Sequence, residues 1–328
     1  LLFAIRHSPF VICHLSFVIH HLPFSLMRSY RFVLADVFTA TPFGGNQLAV
    51  FTDARGLSAA EMQTLARELN FAESSFVLPP DMPGAVKRVH IFTPGLEMPF
   101  AGHPTIGTTY VLARERLIPL AGAETTAQLQ LNLGLTPVTI IAPDGEPAFV
   151  WMQQRPAEFG AVWEAATPLA QALGLELEDV DSGFPIQIVT TGVPYLIVPL
   201  RSLDAVRRAR PGGEALRDLL TRASVGQPVP VCAYLFARET AAPGHAAHAR
   251  MFNQSPVDAP EDAATGSAAG PLGAYLLRNR IVPAGRLIVE QGYALGRPSL
   301  IHVEVNEQGK IAVGGQSVIV GEGVMHLL

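Results

Sequence analysis

The sequence predicts an α+β fold of two similar halves, each a curled β-sheet wrapped around one central helix. Three observations carry this. Phe100–Arg114, FAGHPTIGTTYVLAR, sets a histidine and a proline between two glycines ahead of a helix of small and apolar residues. A helix that is apolar nearly all round cannot lie on a surface, so it runs through the middle of a domain. Far downstream Glu261–Leu277, EDAATGSAAGPLGAYLL, repeats the design: Asp262 takes the polar station, Thr265-Gly266-Ser267 opens the turn, and another small-residue helix follows. Strand patterns fill most of the remaining chain, enough to wrap both helices. Two buried helices that each start from a glycine turn beside an ionisable group imply a cleft between the halves.

Composition narrows the function. A chain of 328 residues with 49% hydrophobic and 16% charged residues is globular and long enough for two sizeable cores. Its formal net charge is -5 and no run of Lys or Arg exceeds a pair, which argues against nucleic-acid binding. The two cysteines, Cys13 and Cys232, form no C-x-x-C, and H-E-x-x-H is absent, so no metal site is read. The glycine-rich loops of nucleotide cofactors are missing too. The chemistry left is that of carboxylates, histidine, hydroxyls and backbone N–H groups.

Taken in order, Leu1–Leu26 is apolar but broken by His7, His14, His20 and His21. It lacks the unbroken run of a membrane span and the cleavage site of a signal peptide. It is read as an artefactual extension or leader, with Met27 as the start of the protein proper and a cytoplasmic location. Residues 27–143 are expected to form the N-terminal half, joined by the C-terminal strands 312–328, and residues 148–311 the C-terminal half. Arg31–Phe38 and Gln47–Thr52 read as strands around the turn TPFGGN. Ser58-Ala59-Ala60-Glu61 is a capping box that opens a helix to Leu69, with Met62, Leu65 and Leu69 on one face and Asn70 as a left-handed stop. Phe76–Leu78 and Val86–Thr93 are strands that lead to the first buried helix, where Pro104 suits the first helical position.

Beyond that helix, strands are expected at Gln128–Asn132, Pro137–Ile141 and Ala148–Gln153, with a linker near Ala142–Pro147. Pro168–Leu173 reads as helical, Gln187–Thr191 and Tyr195–Leu200 as strands. Asp204–Arg208 and Glu214–Ala223 read as surface helices. Val229–Ala237 and Ala249–Phe252 precede the second buried helix, and Arg286–Glu290, Ser299–Val305 and Lys310–Val320 close the chain as strands.

Glu73, in NFAESSF, could be an ordinary loop carboxylate. Its flanks Phe71, Ala72 and Phe76 argue otherwise, because desolvation raises a carboxyl pKa and makes it a useful acid or base near neutrality. His103 alone could be a satisfied histidine at a helix start, Asp262 a helix cap, and Ser267 a packing residue. Together they outline a cleft with a base, a titratable partner on each side, and a hydroxyl at a turn suited to an anion. Gly102 and Asn46 complete the substrate-binding set with Ser267 and Gly266.

The stretches DVF…PFGGN…AVF, ELNFAESSFVLPP, IFTPGLEMPFAGHPTIGT, EDAATGSAAGPLGAYL and QGYALGRPSL, in this order from Tyr30 onward, resemble the phenazine-biosynthesis PhzF family. The resemblance implies the diaminopimelate-epimerase fold, with the site between its halves. It implies Glu73 as the catalytic glutamate, His103 and Asp262 as assisting residues, and Ser267 with the Gly266 backbone as the group that binds a substrate carboxylate. The implied reaction is the cofactor-independent isomerisation of trans-2,3-dihydro-3-hydroxyanthranilate, with a proton taken from C3 and one delivered at C1. It also implies a homodimer. Gln47 stands where the family usually reads proline. Racemases of the same fold use two opposed thiols, and neither organising stretch contains a cysteine. A PhzF-like protein acting on another small carboxylate, or a non-catalytic binding member, is the alternative.

Overall fold

The computed structural model describes residues 27–255 and 257–327, so the extension read at residues 1–26 lies outside the described residues. A hairpin of β1 (Arg28–Val37) and β2 (Asn46–Phe51) opens the first half. The helix α1 (Ala59–Leu69) then crosses to β3 (Glu73–Leu78), which runs parallel to β2. Ser58 caps α1 through the expected capping box and Asn70 ends it in the left-handed region at φ 52°. Its buried face is Met62, Leu65 and Ala66, with Leu69 half-buried at the edge. The strands β4 (Lys87–Phe92) and β5 (Glu97–Met98) lead to α2 (Gly102–Arg114), and β6 (Glu124–Leu131), β7 (Gly134–Ile141) and β8 (Phe149–Gln154) form a meander.

After β9 (Glu158–Val162) and α3 (Ala166–Ala172) the plan repeats. The hairpin β10 (Gln187–Thr190) and β11 (Pro194–Pro199) is followed by α4 (Leu203–Arg208) and α5 (Glu214–Ala223). Then come β12 (Cys232–Ala237), β13 (Ala247–Phe252), β14 (Glu261–Asp262) and α6 (Gly266–Arg278). A second meander of β15 (Gly285–Gln291), β16 (Ser299–Val305) and β17 (Ile311–Gly315) precedes the long β18 (Ser317–Leu327).

The pairings show that the halves are duplicates. β1–β2 and β10–β11 are antiparallel, β2–β3 and β11–β12 parallel, and β3–β4 and β12–β13 antiparallel. β4–β6 and β13–β15 are again parallel. β8 pairs antiparallel with β17 and fuses the two ladders into one sheet, while β18 returns to β1 and β9 joins β10. This sheet curls around α2 on one side, packing β1, β2 and β8 on it, and around α6 on the other, packing β10, β16 and β17. Every residue of α2 from Gly102 to Thr109 is buried, and so is every residue of α6 from Gly266 to Leu276. Among the described residues no helix is long and apolar enough to cross a membrane.

Four local readings are corrected. Glu73 begins a strand instead of preceding one, because Ser74 and Ser75 are buried in pairs with β2 and β4. Pro104 is the third residue of α2, still inside the first turn, where its missing N–H costs nothing. Ala142–Pro147 is the turn that joins β7 to β8, since the ladder runs on across it. Lys310–Val320 is two strands broken at Gln316, and they go to different neighbours: β17 to β16 and β8, β18 to β1.

Candidate active site

The two central helices meet head to head. A Cβ placed on Gly102 would lie 2.4 Å from the Ser267 backbone N, and one on Gly266 would lie 2.7 Å from Phe38 Cζ. No side chain fits at either position, which explains a glycine at both helix starts. Gly102→Ala is expected to lower stability by about 1–3 kcal/mol through overpacking, read as a shift in denaturant midpoint at constant m. First-turn N–H groups have no acceptor inside their own helix, and the positive ends of two helix dipoles converge here.

Around this junction lies a cleft lined from the first half by Glu73, Gly102 and His103 and from the second by Asp262, Gly266 and Ser267. Six residues singled out in the sequence, spread over nearly two hundred positions, thus come together on one cleft. Asn46, the seventh, sits behind the lining. It is 2% exposed, and its Nδ2 donates to Asp262 Oδ1 at 2.7 Å and to the Ala264 carbonyl at 2.9 Å. Because Asn46 starts β2 and both acceptors belong to the second half, this amide ties the halves together at the floor of the cleft.

The electrostatics separate the titratable groups. Burial, with Asp262 and Asp258 adding like charge, holds the Glu73 carboxyl well above the usual carboxylate range. Its side chain keeps 16% of its surface exposed, toward the cleft, and its Oε2 lies 3.3 Å from His103 Nδ1. Burial pushes the His103 imidazole down to about 3, against a smaller opposing effect of the Gln47 backbone, so the ring is neutral. Asp262 is raised by burial to about 6, a shift held back by hydrogen bonds from Thr265 and Asn46. Thr265 Oγ1 donates to Asp262 Oδ2 at 2.5 Å, and Gln291 braces the turn from behind, donating to the Asp262 carbonyl at 2.9 Å. A cleft that holds a desolvated carboxyl, a neutral imidazole and a second carboxyl can move protons at carbon near neutral pH.

Two lining residues escaped the sequence reading. Tyr195, on β11, shares a 2.7 Å hydrogen bond between its hydroxyl and Ser267 Oγ, and burial keeps the phenol protonated. Cys232 begins β12 as Glu73 begins β3, and the paired ladders set it at the corresponding place in the second half. Burial pushes its thiol up to about 12, and Sγ donates to Asn253 Oδ1 at 3.2 Å, so it keeps its proton. By the same correspondence Ser267 occupies the place of His103. Aligning the two halves on their glycine turns would have exposed Cys232; nothing local marks Tyr195.

Comparison with known proteins bears on the family and the fold. The family described as phenazine biosynthesis-like protein, PhzC-PhzF, matches residues 35–323. The trans-2,3-dihydro-3-hydroxyanthranilate isomerase of Pseudomonas aeruginosa is 35% identical over 306 residues, covering 91% of this chain and 100% of that protein. An uncharacterized isomerase of Mesorhizobium japonicum is also 35% identical, over 322 residues, covering 92% of this chain and all of its own length. The crystal structure of the Bacillus anthracis phenazine biosynthesis protein of the PhzF family superposes with a TM-score of 0.79 at 30% identity, covering 92% of this chain and 99% of that one. A hydroxyproline epimerase from Agrobacterium vitis shares the fold alone, with a TM-score of 0.63 at 14% identity over 92% of this chain and 93% of its own. The architecture is thus diaminopimelate-epimerase-like, as expected from the motifs.

Proposed function

Because the chain belongs to the phenazine biosynthesis-like PhzC-PhzF family and is an isomerase, we propose that it shifts a proton between carbons of a small cyclic carboxylic acid. Glu73 takes the proton and, as its conjugate acid, gives it back on the same face of the ring. The observation that carries this reading is the desolvated Glu73 carboxyl, poised beside neutral His103 in a cleft that Asp262 also lines. Ser267 Oγ and the first-turn N–H groups of α6 supply donors for the substrate carboxylate, where the helix dipole favours a negative charge.

Within that class, trans-2,3-dihydro-3-hydroxyanthranilate is the substrate proposed, by analogy with the relative that carries the name. Glu73 would take the C3 proton and a proton would be delivered at C1, giving an enol that tautomerises to the ketone. The protein itself supplies every group this needs: a base, its conjugate acid and donors for the carboxylate. Incubation with that acid in D2O tests the reading. Isomerisation with deuterium at the reacting carbon is expected, and binding without exchange would leave only a binding protein. A homodimer in the cytoplasm belongs to the same proposal, and sedimentation equilibrium checks the dimer.

The carboxylate position makes a separate prediction. Ser267→Ala removes a hydroxyl and a hydrogen bond to a charged group, which contributes about 1.5–3 kcal/mol. Binding of a carboxylate ligand should weaken roughly tenfold to a hundredfold. An unchanged dissociation constant would move the anion position away from the start of α6.

A further inference from the structure

One arginine of the second half grips a turn of the first. Arg297 lies just before β16, after the short 3-10 turn Tyr293–Leu295. Its Nε donates to the Gly45 carbonyl at 2.8 Å, and its Nη2 donates to the Gly44 carbonyl at 2.7 Å and to Asp36 Oδ1 at 2.6 Å. The other Asp36 oxygen accepts the Phe43 N–H at 2.6 Å. The side chains are 20% exposed for Arg297 and 2% for Asp36, so solvent screens this pair little.

The turn needs such a grip. Phe43 and Gly45 both have left-handed backbones, at φ 69° and 62°. Glycine adopts that conformation freely, but for phenylalanine it is strained, and strain persists only where surrounding contacts over-determine it. The Phe43 ring is 73% exposed, so packing is not what holds it. The residue after Gly45 is Asn46, whose Nδ2 reaches the second half at Asp262 Oδ1 and the Ala264 carbonyl. Arg297 is anchored at that same wall. Its N–H donates to the Gly292 carbonyl at 3.0 Å, and a Cβ on Gly292 would lie 2.3 Å from the Arg297 carbonyl oxygen and 2.5 Å from that of Ala263. The contacts therefore close a ring, from Asp262 through Ala263 and Gly292 to Arg297, across to Gly44 and Gly45, and back through Asn46.

We infer that Arg297 is a positioning residue for the cleft: paired with Asp36, it fixes the turn between β1 and β2 so that Asn46 keeps its hydrogen bond to Asp262 across the two halves. The clamp stands on geometry alone, and its effect on catalysis rests on the proton-shifting reading. Asp262 is where the clamp is felt. Hydrogen bonds from Thr265, Asn46 and the Ala263 N–H favour its ionised form, against burial and the neighbouring Glu261. Glu73 on β3, Tyr195 on β11, and Cys232 and Tyr234 on β12 lie within reach of the same charge, and none of them brings a positive one. Neutral His103 and Asp258 complete the ionisable lining. Losing the Asn46 bond therefore favours the protonated form of Asp262.

Carbon-13 NMR titration of the Asp262 carboxyl, assigned by its loss in Asp262→Asn, tests the clamp on the intact chain. Arg297→Met alone would strand the Asp36 charge, so it is combined with Asp36→Asn, which leaves no charge behind and still accepts the Phe43 N–H. The midpoint should rise by about one pH unit, tenfold in the ionisation constant, as expected when a hydrogen bond to a charged group is lost. Arg297→Lys offers one nitrogen where the guanidinium uses two, and should move the midpoint the same way by less. An unchanged midpoint in the double variant, or in Arg297→Lys should the double variant not fold, overturns the inference. With Asn46→Ala already in place the same replacements should add no shift. An equal shift there would mean that Arg297 acts on Asp262 by another route, and would overturn it as well. In D2O the double variant should exchange hydrogen into trans-2,3-dihydro-3-hydroxyanthranilate more slowly than the unmutated protein. Absence of exchange by the unmutated protein would count against the proton-shifting reading, and the titration would still decide the clamp.

Discussion

Glu73→Gln is expected to bind the cyclic acid nearly as well as the unmutated protein while losing a factor on the order of 10²–10⁴ in rate. The upper end applies because the same carboxyl is asked to return the proton it removes. Glutamine keeps the size of the side chain and its contact with His103, but an amide cannot accept a proton from carbon. Loss of deuterium exchange at C3, followed by NMR, is the direct measurement. The unmutated enzyme should also gain rate as pH rises through the Glu73 pKa. That midpoint should lie above the ordinary carboxylate range, because burial first, then Asp262 and Asp258, favour the protonated form. If Glu73→Gln kept its exchange while Asp262→Asn lost it, the base would be Asp262.

Arg250→Met is expected to give the largest loss of stability, about 3–5 kcal/mol, because it strands a buried charge. Arg250 Nε and Nη2 donate to the Glu261 carboxylate at 2.8 and 2.7 Å, and Nη1 donates to the carbonyls of Val206 and Ala209 at 3.0 and 2.5 Å. Arg250 and Glu261 side chains are only 6% and 3% exposed, so water cannot take the place of the missing partner. Glu261 directly precedes Asp262, and the loss should therefore loosen the wall of the cleft as well. Replacing both members, Arg250→Met with Glu261→Leu, should recover most of the stability, since an apolar pair leaves no charge behind. The first half offers an internal control. Arg250 precedes Met251 and Phe252, which pair with β14, as His90 precedes Ile91 and Phe92, which pair with β5; His90 meets Glu97 there, and that pair is 17% and 29% exposed. His90→Leu should cost clearly less in the same guanidinium titration. Equal losses from the two pairs would show that burial is not what makes the second one matter.

The residues that line the cleft were legible where they broke a local pattern. His103 and Ser267 stand out because they interrupt apolar helix starts between glycines, and Glu73 because phenylalanines surround a charge. The capping box at Ser58 and the stop at Asn70 were readable because caps are settled within four residues of chain. Other features left no such mark. β9, with the sequence EFGAV, was missed because most of it is exposed and its strand character comes only from pairing with β10. Gln316 gave no sign that β17 and β18 part company there, since a chain cannot announce which neighbour it will meet.

The sequence by itself determined two apolar central helices, the glycines that start them and the polar residues beside those glycines, because each follows from local spacing and hydrophobicity. Only the tertiary structure decided what those groups become. Folding joins the ladders through β8 and β17, brings Gly102 against Ser267, and sets Asn46 between His103 and Asp262. It also places a proton-retaining thiol in the second half where the first half has the Glu73 carboxyl. Protonation depends on desolvation and on the charges within a few ångströms, and those neighbours are supplied by segments far apart in the chain.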